Sequence, residues 1–221
     1  MQEQEINTRA LKAKREKRAD AQLSSKCRFC GKKREDIFHL LCCCDNLSAS
    51  LYLPMRHDEV AKTIYNEIIR NHFKNHPYVH PENVWKRGKL ELWWDTHIST
   101  APKVKHNKPD IVIWDIPKKK CTIVDICVPL NINVSKQEKA KMDIYMPLIV
   151  ALVRIYSTYK FEVVPIVIGA MGLVTDSLVK QIKKVLEDEE KDVKGIVTKL
   201  QQKALIGSMR ILKSALSMKP S

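Results

Sequence analysis

The spacing of apolar residues predicts strands enclosed by helices. Residues 57–73 carry apolar side chains at helical intervals, which is typical of an amphipathic helix. Residues 90–99 are predicted to form a strand. Residues 106–115 and 121–128 are β-branched, apolar runs bounded by breakers, which predicts a β-hairpin. Between the helix and the first strand, residues 74–89 are dense in Asn, His and Pro, which indicates a loop.

The second half of the chain alternates helix and strand before two closing helices. Residues 135–159 are predicted to be helical, and residues 161–169 form a predicted buried strand. Pro165 predicts an edge position or a bulge for that strand. The closing helices are predicted over 174–188 and 192–217. The element order helix-strand-strand-strand-helix-strand, followed by helices, predicts an α+β fold around an α/β-type mixed sheet.

The helix over residues 135–159 contains two local signals. Ser135 and Glu138 match the spacing of a capping box at its N-terminus. Pro147 is expected to kink it, because proline lacks the backbone N–H that an interior position requires. The 3.6-residue period places Lys141 and Tyr145 on the inward face of this helix.

Two aspartates fall within the predicted hairpin. A two-residue turn at Pro117-Lys118 sets Asp110 opposite Asp125, whereas a turn one residue later sets Asp110 opposite Cys127 with Asp125 diagonal to it. In both registers the carboxylates share one face, where opposed Cβ atoms lie about 5 Å apart and like charges destabilise the pair. Because carboxylate oxygens are favoured ligands of hard divalent cations, the pattern indicates a divalent-cation site.

A cysteine and histidine cluster precedes the first long helix. Its members at zinc-ligand spacing are Cys27, Cys30, His39 and Cys44. They form the pattern Cys-x2-Cys-x8-His-x4-Cys, and thiolate and imidazole are the ligands that tetrahedral zinc takes. Four protein ligands predict a closed, structural Zn²⁺ site, with Cys42 and Cys43 as alternatives to Cys44 for the fourth ligand.

The composition indicates which class of partner the chain binds and in which compartment it is expected. The chain has 39 Lys and Arg against 25 Asp and Glu, a formal charge of +14, which favours a polyanionic partner and nucleic acid first. The charged N-terminus and the absence of an apolar run of about 18 residues predict an intracellular protein with no membrane partner. The predicted organisation is a basic helical segment over 1–25, a zinc knuckle over 26–50 and the main fold over 51–221.

Several stretches carry a resemblance to a known family. They are Arg-His-Asp-Glu-Val-Ala-Lys at 56–62, His-Asn-Lys-Pro-Asp-Ile at 106–111, Ile-Val-Asp-Ile at 123–126, and Val-Pro-Ile-Val-Ile-Gly-Ala-Met-Gly at 164–172. With the knuckle, the chain from about residue 26 onwards resembles the C-terminal region of non-LTR retrotransposon reverse transcriptase polyproteins. In those proteins a Cys-Cys-His-Cys knuckle precedes a restriction-like endonuclease of the PD-(D/E)xK superfamily. The sequence contains no Tyr-x-Asp-Asp polymerase motif.

The resemblance implies a restriction-endonuclease-like core and metal-dependent nicking of target DNA in the nucleus. The RNA of the retrotransposon itself is a second candidate partner. Asp110 and Asp125 would hold Mg²⁺ or Mn²⁺, and the metal would activate water for attack on a phosphodiester. An upstream helical acid, common in the superfamily, would be Glu59 or Glu67.

One position departs from the superfamily pattern. A lysine normally follows the second acid by two residues, where this chain has Cys127. The resemblance implies that a lysine of the following helix replaces it, with Lys141 the first choice and Lys139 or Lys136 as alternatives. The departure also favours a second hypothesis, a non-catalytic nucleic-acid-binding module from a truncated or domesticated element. The predicted nucleic-acid contacts are Arg28, Lys32, Lys33, His106 and Lys108.

Overall fold

A five-stranded mixed sheet forms the centre of a computed structural model, which describes residues 6, 8–16, 25–74 and 76–218. Over these residues the strands are β1 (Val84–Arg87), β2 (Leu90–Trp94), β3 (Ile111–Asp115), β4 (Lys120–Cys127) and β5 (Lys160–Val167). They lie in the order β1-β2-β3-β4-β5. The first four pair antiparallel in succession, and β5 pairs parallel to β4. The α+β class is therefore confirmed.

Helices cover both faces of this sheet. Their bounds are α1 (Arg9–Glu16), α2 (Asp58–His72), α3 (Val134–Ile144), α4 (Met146–Ile155), α5 (Asp176–Leu186) and α6 (Lys194–Ser217). Helices α2, α5 and α6 share one apolar core with the sheet, while α4 packs against the opposite face. Both faces of β4 are covered, so six of its eight residues are buried, with Val124 on the first face and Ile123 on the second.

The β3–β4 hairpin adopts the first of the two predicted registers. Ile111 pairs with Val124, and Asp115 pairs with Lys120. One further step of the same register sets Asp110 opposite Asp125. The register that opposes Asp110 to Cys127 was wrong, because the connection spans residues 116–119 symmetrically about the two-residue turn.

The segment between α2 and β2 differs from its prediction. Residues 74–89 were predicted to be a loop, yet β1 lies within them and pairs with β2. Its side chains are mostly exposed, so the apolar alternation that identifies a half-buried strand is missing. The predicted strand over 90–99 ends at Trp94, because Asp95 has a φ of 47° that interrupts the extended backbone.

The helix predicted over residues 135–159 is two helices. Helix α3 ends at Ile144, and Pro147 lies in the first turn of α4, where its missing N–H breaks no intrahelical hydrogen bond. The capping box was wrong. Asn133 stands at the N-cap without a side-chain bond, and Glu138 instead accepts a 3.3 Å hydrogen bond from the Thr175 hydroxyl. The edge position predicted by Pro165 is confirmed, since β5 ends the described sheet.

The described part of the N-terminal segment packs against the cysteine-rich region. Ala10 and Ala13 of α1 are buried, and the Arg9 N–H donates a 2.9 Å hydrogen bond to Glu35. Helix α1 lies within the basic helical segment predicted over 1–25, of which residues 1–5, 7 and 17–24 lie outside the described chain. Within the described residues, no helix has the length and apolarity to cross a bilayer.

The cysteine-rich region shares a core with the end of α6. Cys27, Leu40 and Cys44 belong to one apolar cluster with Ile211 and Leu212. A π-helical segment, Ser48–His57, runs from this region into α2 and packs along α6. There the buried Arg56 donates a 3.0 Å hydrogen bond to the Ser208 hydroxyl, which donates a 2.6 Å bond to the Ala170 carbonyl.

Gly207 allows α6 to approach that segment closely because it has no side chain. A Cβ at Gly207 would lie 2.6 Å from the Met55 carbonyl oxygen and 2.8 Å from the Arg56 Cα. Because backbone atoms cannot yield as a flexible side chain does, we expect Gly207→Ala to lower the free energy of unfolding by about 1–3 kcal/mol. Urea denaturation measures the change.

The matched control for Gly207→Ala is Gly195→Ala in the same helix. Apart from its chain neighbours and the backbone of its own helix, no atom in the described part of the chain lies within 4 Å of a Cβ at Gly195. This substitution should leave stability unchanged or raise it by up to about 1 kcal/mol through helix propensity. Equal effects of the two substitutions would contradict the close approach as a constraint on α6.

Candidate functional site

The two hairpin aspartates lie together at the end of the sheet where β4 finishes. Asp125, in β4, is only 3% exposed, and Asp110 immediately precedes β3 with its carboxylate partly accessible. The Asp110 Oδ2 atom accepts a 2.6 Å hydrogen bond from the Ile126 N–H, which ties it to the opposite strand. The sequence prediction that these carboxylates share a face is thus met by the observed register.

Helix α3 and the break after it supply the partners of Asp125. The Lys141 ammonium lies 2.6 Å from Asp125 Oδ2, and the Tyr145 hydroxyl donates a 2.7 Å hydrogen bond to Oδ1. These side chains are four residues apart, so one helical face presents both to the aspartate. Lys139 and Lys136 lie on the exposed side of α3, so the structure brings only Lys141 of the three predicted lysines to the aspartates.

His57 also reaches this site, although no role was predicted for it from the sequence. Its Nε2 lies 3.3 Å from Asp110 Oδ2, and its Nδ1 lies 3.0 Å from Asp58 Oδ1. Burial acts to lower the pKa of His57, but the hydrogen bonds to Asp110 and Asp58 outweigh it and raise the pKa to about 10. The signal available in the sequence was its position next to an aspartate at the start of a helix.

The site holds opposing electrostatic forces. Burial raises the pKa of Asp125, the Asp110 charge raises it further, and Lys141 with Tyr145 acts in the other direction. For Lys141, burial lowers the pKa, but the Asp125 charge outweighs it and raises the pKa above its usual value. Burial raises the pKa of the neighbouring Cys127 thiol to about 11, so that side chain is a neutral thiol at pH 7.

The aspartate pair carries the kind of donor atoms that a hard divalent cation would use. Asp110 and Asp125 offer carboxylate oxygens from two rigid strands, and Mg²⁺ commonly takes one or two protein carboxylates while keeping several waters. In their present arrangement the nearby cationic groups, Lys141 and His57, neutralise those carboxylates. The donor chemistry suits Mg²⁺ or Mn²⁺, and the partial exposure of Asp110 leaves a side open to solvent.

The predicted upstream helical acids lie elsewhere. Glu59 forms ion pairs with Lys203 and Lys62, at 2.7 and 3.8 Å. Glu67 forms them with Lys199 and Arg70, at 2.8 and 3.3 Å. Both carboxylates therefore face α6 or the surface of α2, and neither is brought to Asp110 and Asp125.

The cysteine and histidine ligand atoms converge in a second site. The ligand atoms of Cys27, Cys30, His39 and Cys44 all lie within 4.8 Å of one another. Cys27 Sγ is 3.9 Å from Cys44 Sγ, and Cys30 Sγ is 3.4 Å from His39 Nε2. Burial raises the pKa of Cys30, but backbone N–H groups of Lys33 and Lys32 and the His39 ring outweigh it and lower the pKa to about 6. The cluster is compatible with a structural zinc ion.

The fourth position of this cluster belongs to Cys44. Of the two alternatives, Cys42 accepts a 3.5 Å hydrogen bond from the Arg56 guanidinium, and Cys43 is outside the converging set. The Phe29 N–H donates a 3.4 Å hydrogen bond to Cys27 Sγ, which positions that sulfur in the cluster.

The predicted nucleic-acid contacts occupy different environments. Arg28 forms a 2.6 Å ion pair with the buried Glu35, so its guanidinium is used inside the knuckle. Lys32 and Lys33 are exposed at the knuckle surface. Lys108 is exposed and pairs with Asp95 at 2.7 Å, and His106 is half-buried two residues away.

Comparison with protein-family models and with curated proteins does not assign a function to this site. Neither protein-family models nor curated proteins match the chain. The resemblance to retrotransposon proteins therefore rests on motifs and their spacing, and a functional assignment rests on the arrangement of the side chains.

We expect Cys44→Ser to abolish zinc binding and Cys43→Ser to retain it. Serine cannot replace a thiolate ligand at Cys44, whereas Cys43 stands outside the cluster. Atomic absorption of the purified variants should show about one zinc per chain in Cys43→Ser and close to none in Cys44→Ser. Equal zinc content in both variants would contradict the assignment of Cys44.

We expect Lys141→Met to lower the free energy of unfolding by about 2–3 kcal/mol, because it leaves Asp125 buried without its cation. Lys139→Met, on the exposed side of the same helix, should change stability by less than about 0.5 kcal/mol. Chemical denaturation without added divalent cation measures both.

The deficit of Lys141→Met should depend on pH in one direction. Without the lysine, the pKa of the Asp125 carboxyl rises further, so the folded state takes up a proton more readily than the unfolded chain does. The deficit should therefore shrink as pH falls through that further raised pKa, and become constant once the wild-type Asp125 carboxyl, whose pKa is itself above its usual value, is also protonated. A pH-independent deficit would show that lost packing, not charge, is responsible.

Proposed function

We propose that this chain is a Mg²⁺- or Mn²⁺-dependent DNA endonuclease with a restriction-like core, derived from a non-LTR retrotransposon protein. The single observation that carries the proposal is the convergence of Asp110, Asp125 and Lys141 at one end of the sheet. Two carboxylates and a lysine are the groups that metal-assisted phosphodiester hydrolysis uses. The formal charge of +14 suits a nucleic-acid substrate, and target DNA would place the protein in the nucleus.

Asp110 and Asp125 would hold the cation through one oxygen or more each. Held there, Mg²⁺ or Mn²⁺ would supply Lewis-acid chemistry, polarising the scissile phosphate and lowering the pKa of a coordinated water. The residues around the aspartates set their orientation in advance. The Ile126 N–H fixes Asp110 from the opposite strand, and the Tyr145 hydroxyl fixes Asp125 from the break between α3 and α4. Such fixed carboxylates require little reorganisation when the substrate arrives.

Lys141 fills the chemical role that Cys127 cannot. Its ammonium lies against Asp125 at 2.6 Å, and the raised pKa keeps it protonated at pH 7. A protonated lysine beside the scissile phosphate stabilises the additional negative charge of the transition state, or orients the attacking water. The lysine reaches the aspartate from helix α3, not from the strand position two residues after it.

The zinc knuckle would contribute structure and charge. With a zinc ion bound, the cluster would fix the loop that carries the exposed Lys32 and Lys33. Those ammonium groups would contact DNA phosphates, which position a duplex without reading its sequence. The shared core with Ile211 and Leu212 would keep this surface at a constant place relative to the rest of the fold.

A second candidate function, nucleic-acid binding without cleavage, is favoured by the neutral Cys127 thiol where the superfamily has a lysine. The two candidate functions differ in whether they require the carboxylates of Asp110 and Asp125. Binding that depends on lysines alone is insensitive to removal of Asp110 or Asp125, whereas hydrolysis requires both.

Plasmid nicking in Mg²⁺ or Mn²⁺ distinguishes these functions. We expect the wild-type chain to convert supercoiled plasmid to the open circle, and Asp110→Ala, Asp125→Ala and Lys141→Met each to lower the rate by about a hundredfold or more. Lys139→Met is the matched control and should nick at the wild-type rate, since Lys139 is exposed and away from the aspartates.

Gel shifts of the same variants show whether DNA binding survives. If the wild type binds DNA but nicks no faster than Asp110→Ala and Asp125→Ala, the endonuclease proposal fails and the binding module stands. Circular dichroism of each variant excludes unfolding as the reason for a lost rate.

A further inference from the structure

An aromatic cleft lies beside the aspartate site on the same face of the sheet. It has a volume of about 330 Å³, and its lining includes Trp93, Trp114, Tyr156, His97 and Leu152. The Trp93 and Trp114 rings lie 5.6 Å apart, and Trp114 lies 5.2 Å from Tyr156. A cleft of this size and aromatic character is suited to a small, flat, largely apolar ligand.

One polar group in the lining has an unused hydrogen-bonding capacity. The Trp114 side chain is 6% exposed, and within the described residues its indole N–H has no hydrogen-bond partner. The neighbouring Trp93 N–H, in contrast, donates to Glu91 at 3.3 Å. Since a buried donor without an acceptor costs free energy, a ligand that brings an acceptor to Trp114 would recover it.

The distance between the cleft and the aspartates equals the length of a few nucleotides of DNA. Asp110 immediately precedes β3 and Trp114 lies in that strand four residues later, which is about 13 Å at the usual rise. That distance corresponds to about four base steps of a duplex at about 3.4 Å each. A DNA strand with a phosphate at Asp110 and Asp125 would therefore pass the mouth of the cleft within a few nucleotides.

The segment between β2 and β3 forms one wall of the cleft and carries positive charge. Its base is closed by hydrogen bonds from Asp95 N–H to the Asp110 carbonyl at 2.9 Å and from Ile98 N–H to the Asn107 carbonyl at 2.8 Å. Ile98 is buried in the core on this face. The part beyond these bonds exposes Lys103 and Lys105, which suit a phosphate backbone running past the cleft.

We propose that this cleft binds a nucleobase extruded from the DNA that crosses the aspartate site. This inference rests on the proposed function for the path of the DNA. The base would stack on the tryptophan rings, and a base carbonyl oxygen would accept the Trp114 N–H. Tyr156, 41% exposed at the rim, is the side chain that the incoming base would displace or stack upon. Stacking on aromatic side chains accommodates every base, because each presents a π-face.

The test compares two duplexes that differ in one base. One carries a single unpaired 2-aminopurine, and the other has the same base paired. Without Mg²⁺ or Mn²⁺, so that no strand is cut, we expect the zinc-loaded wild type to bind the first duplex about tenfold more tightly, because the cost of unpairing is already met. The fluorescence of 2-aminopurine should fall on binding as it stacks.

Substitutions in the cleft show whether the preference for the unpaired base arises there. Trp114→Phe keeps an aromatic ring, although a smaller one, and removes the N–H, and Tyr156→Ala removes the rim, so each should reduce the preference for the unpaired base at least about threefold. Tyr159→Ala is the matched control, because Tyr159 packs on Trp114 at 5.5 Å but is outside the cleft lining. It should keep the preference.

The outcomes separate this inference from the endonuclease proposal. Equal affinity for the two duplexes, or a preference that survives both Trp114→Phe and Tyr156→Ala, would overturn the base-binding cleft even if the protein nicks plasmid. A preference that these variants remove, in a protein that does not nick, would support the cleft and sink the endonuclease alone.

Discussion

The fold must accommodate two carboxylates that face each other across the β3–β4 hairpin. The β3–β4 register places Asp110 opposite Asp125, and Asp125 is almost fully buried. Like charges in that position raise the free energy of the folded state unless other groups compensate them. The compensation comes from three directions: Lys141 and Tyr145 from the crossover helices, the Ile126 N–H from the strand, and His57 from the segment before α2.

Those partners explain why distant parts of the chain must be accurately placed. The break at Tyr145 ends α3 and starts α4, and its hydroxyl reaches Asp125 from that point. His57 ends the π-helical segment that packs along α6, next to the buried Arg56 and its bond to Ser208. The cysteine and histidine cluster packs on the same α6. The aspartate site is thus connected to the knuckle through one continuous set of contacts.

The sequence predicted the elements that have a clear period and missed those that depend on tertiary contacts. Alternating apolar residues and a short polar turn were sufficient to place both aspartates on one face, but they left two registers open. Ligand spacing was sufficient for Cys27, Cys30 and His39, but the choice of Cys44 over Cys42 and Cys43 required the structure. Strand β1 was missed because an exposed edge strand lacks the apolar alternation. The capping box failed because Glu138 bonds to Thr175, a partner 37 residues away that no local pattern reveals. His57 was assigned no role for the same reason, since its contact with Asp110 spans 53 residues.

We propose that Asp110 and Asp125 form a divalent-cation site, and that Lys141 and His57 neutralise its carboxylates when no cation is bound. Titration of zinc-loaded protein with Mn²⁺, followed by electron paramagnetic resonance, tests this site without any DNA. We expect one Mn²⁺ site per chain that Asp110→Asn and Asp125→Asn each remove, and that Lys141→Met strengthens by removing the competing charge. Mn²⁺ binding that is absent in the wild type, or unchanged by both asparagine substitutions, would contradict it.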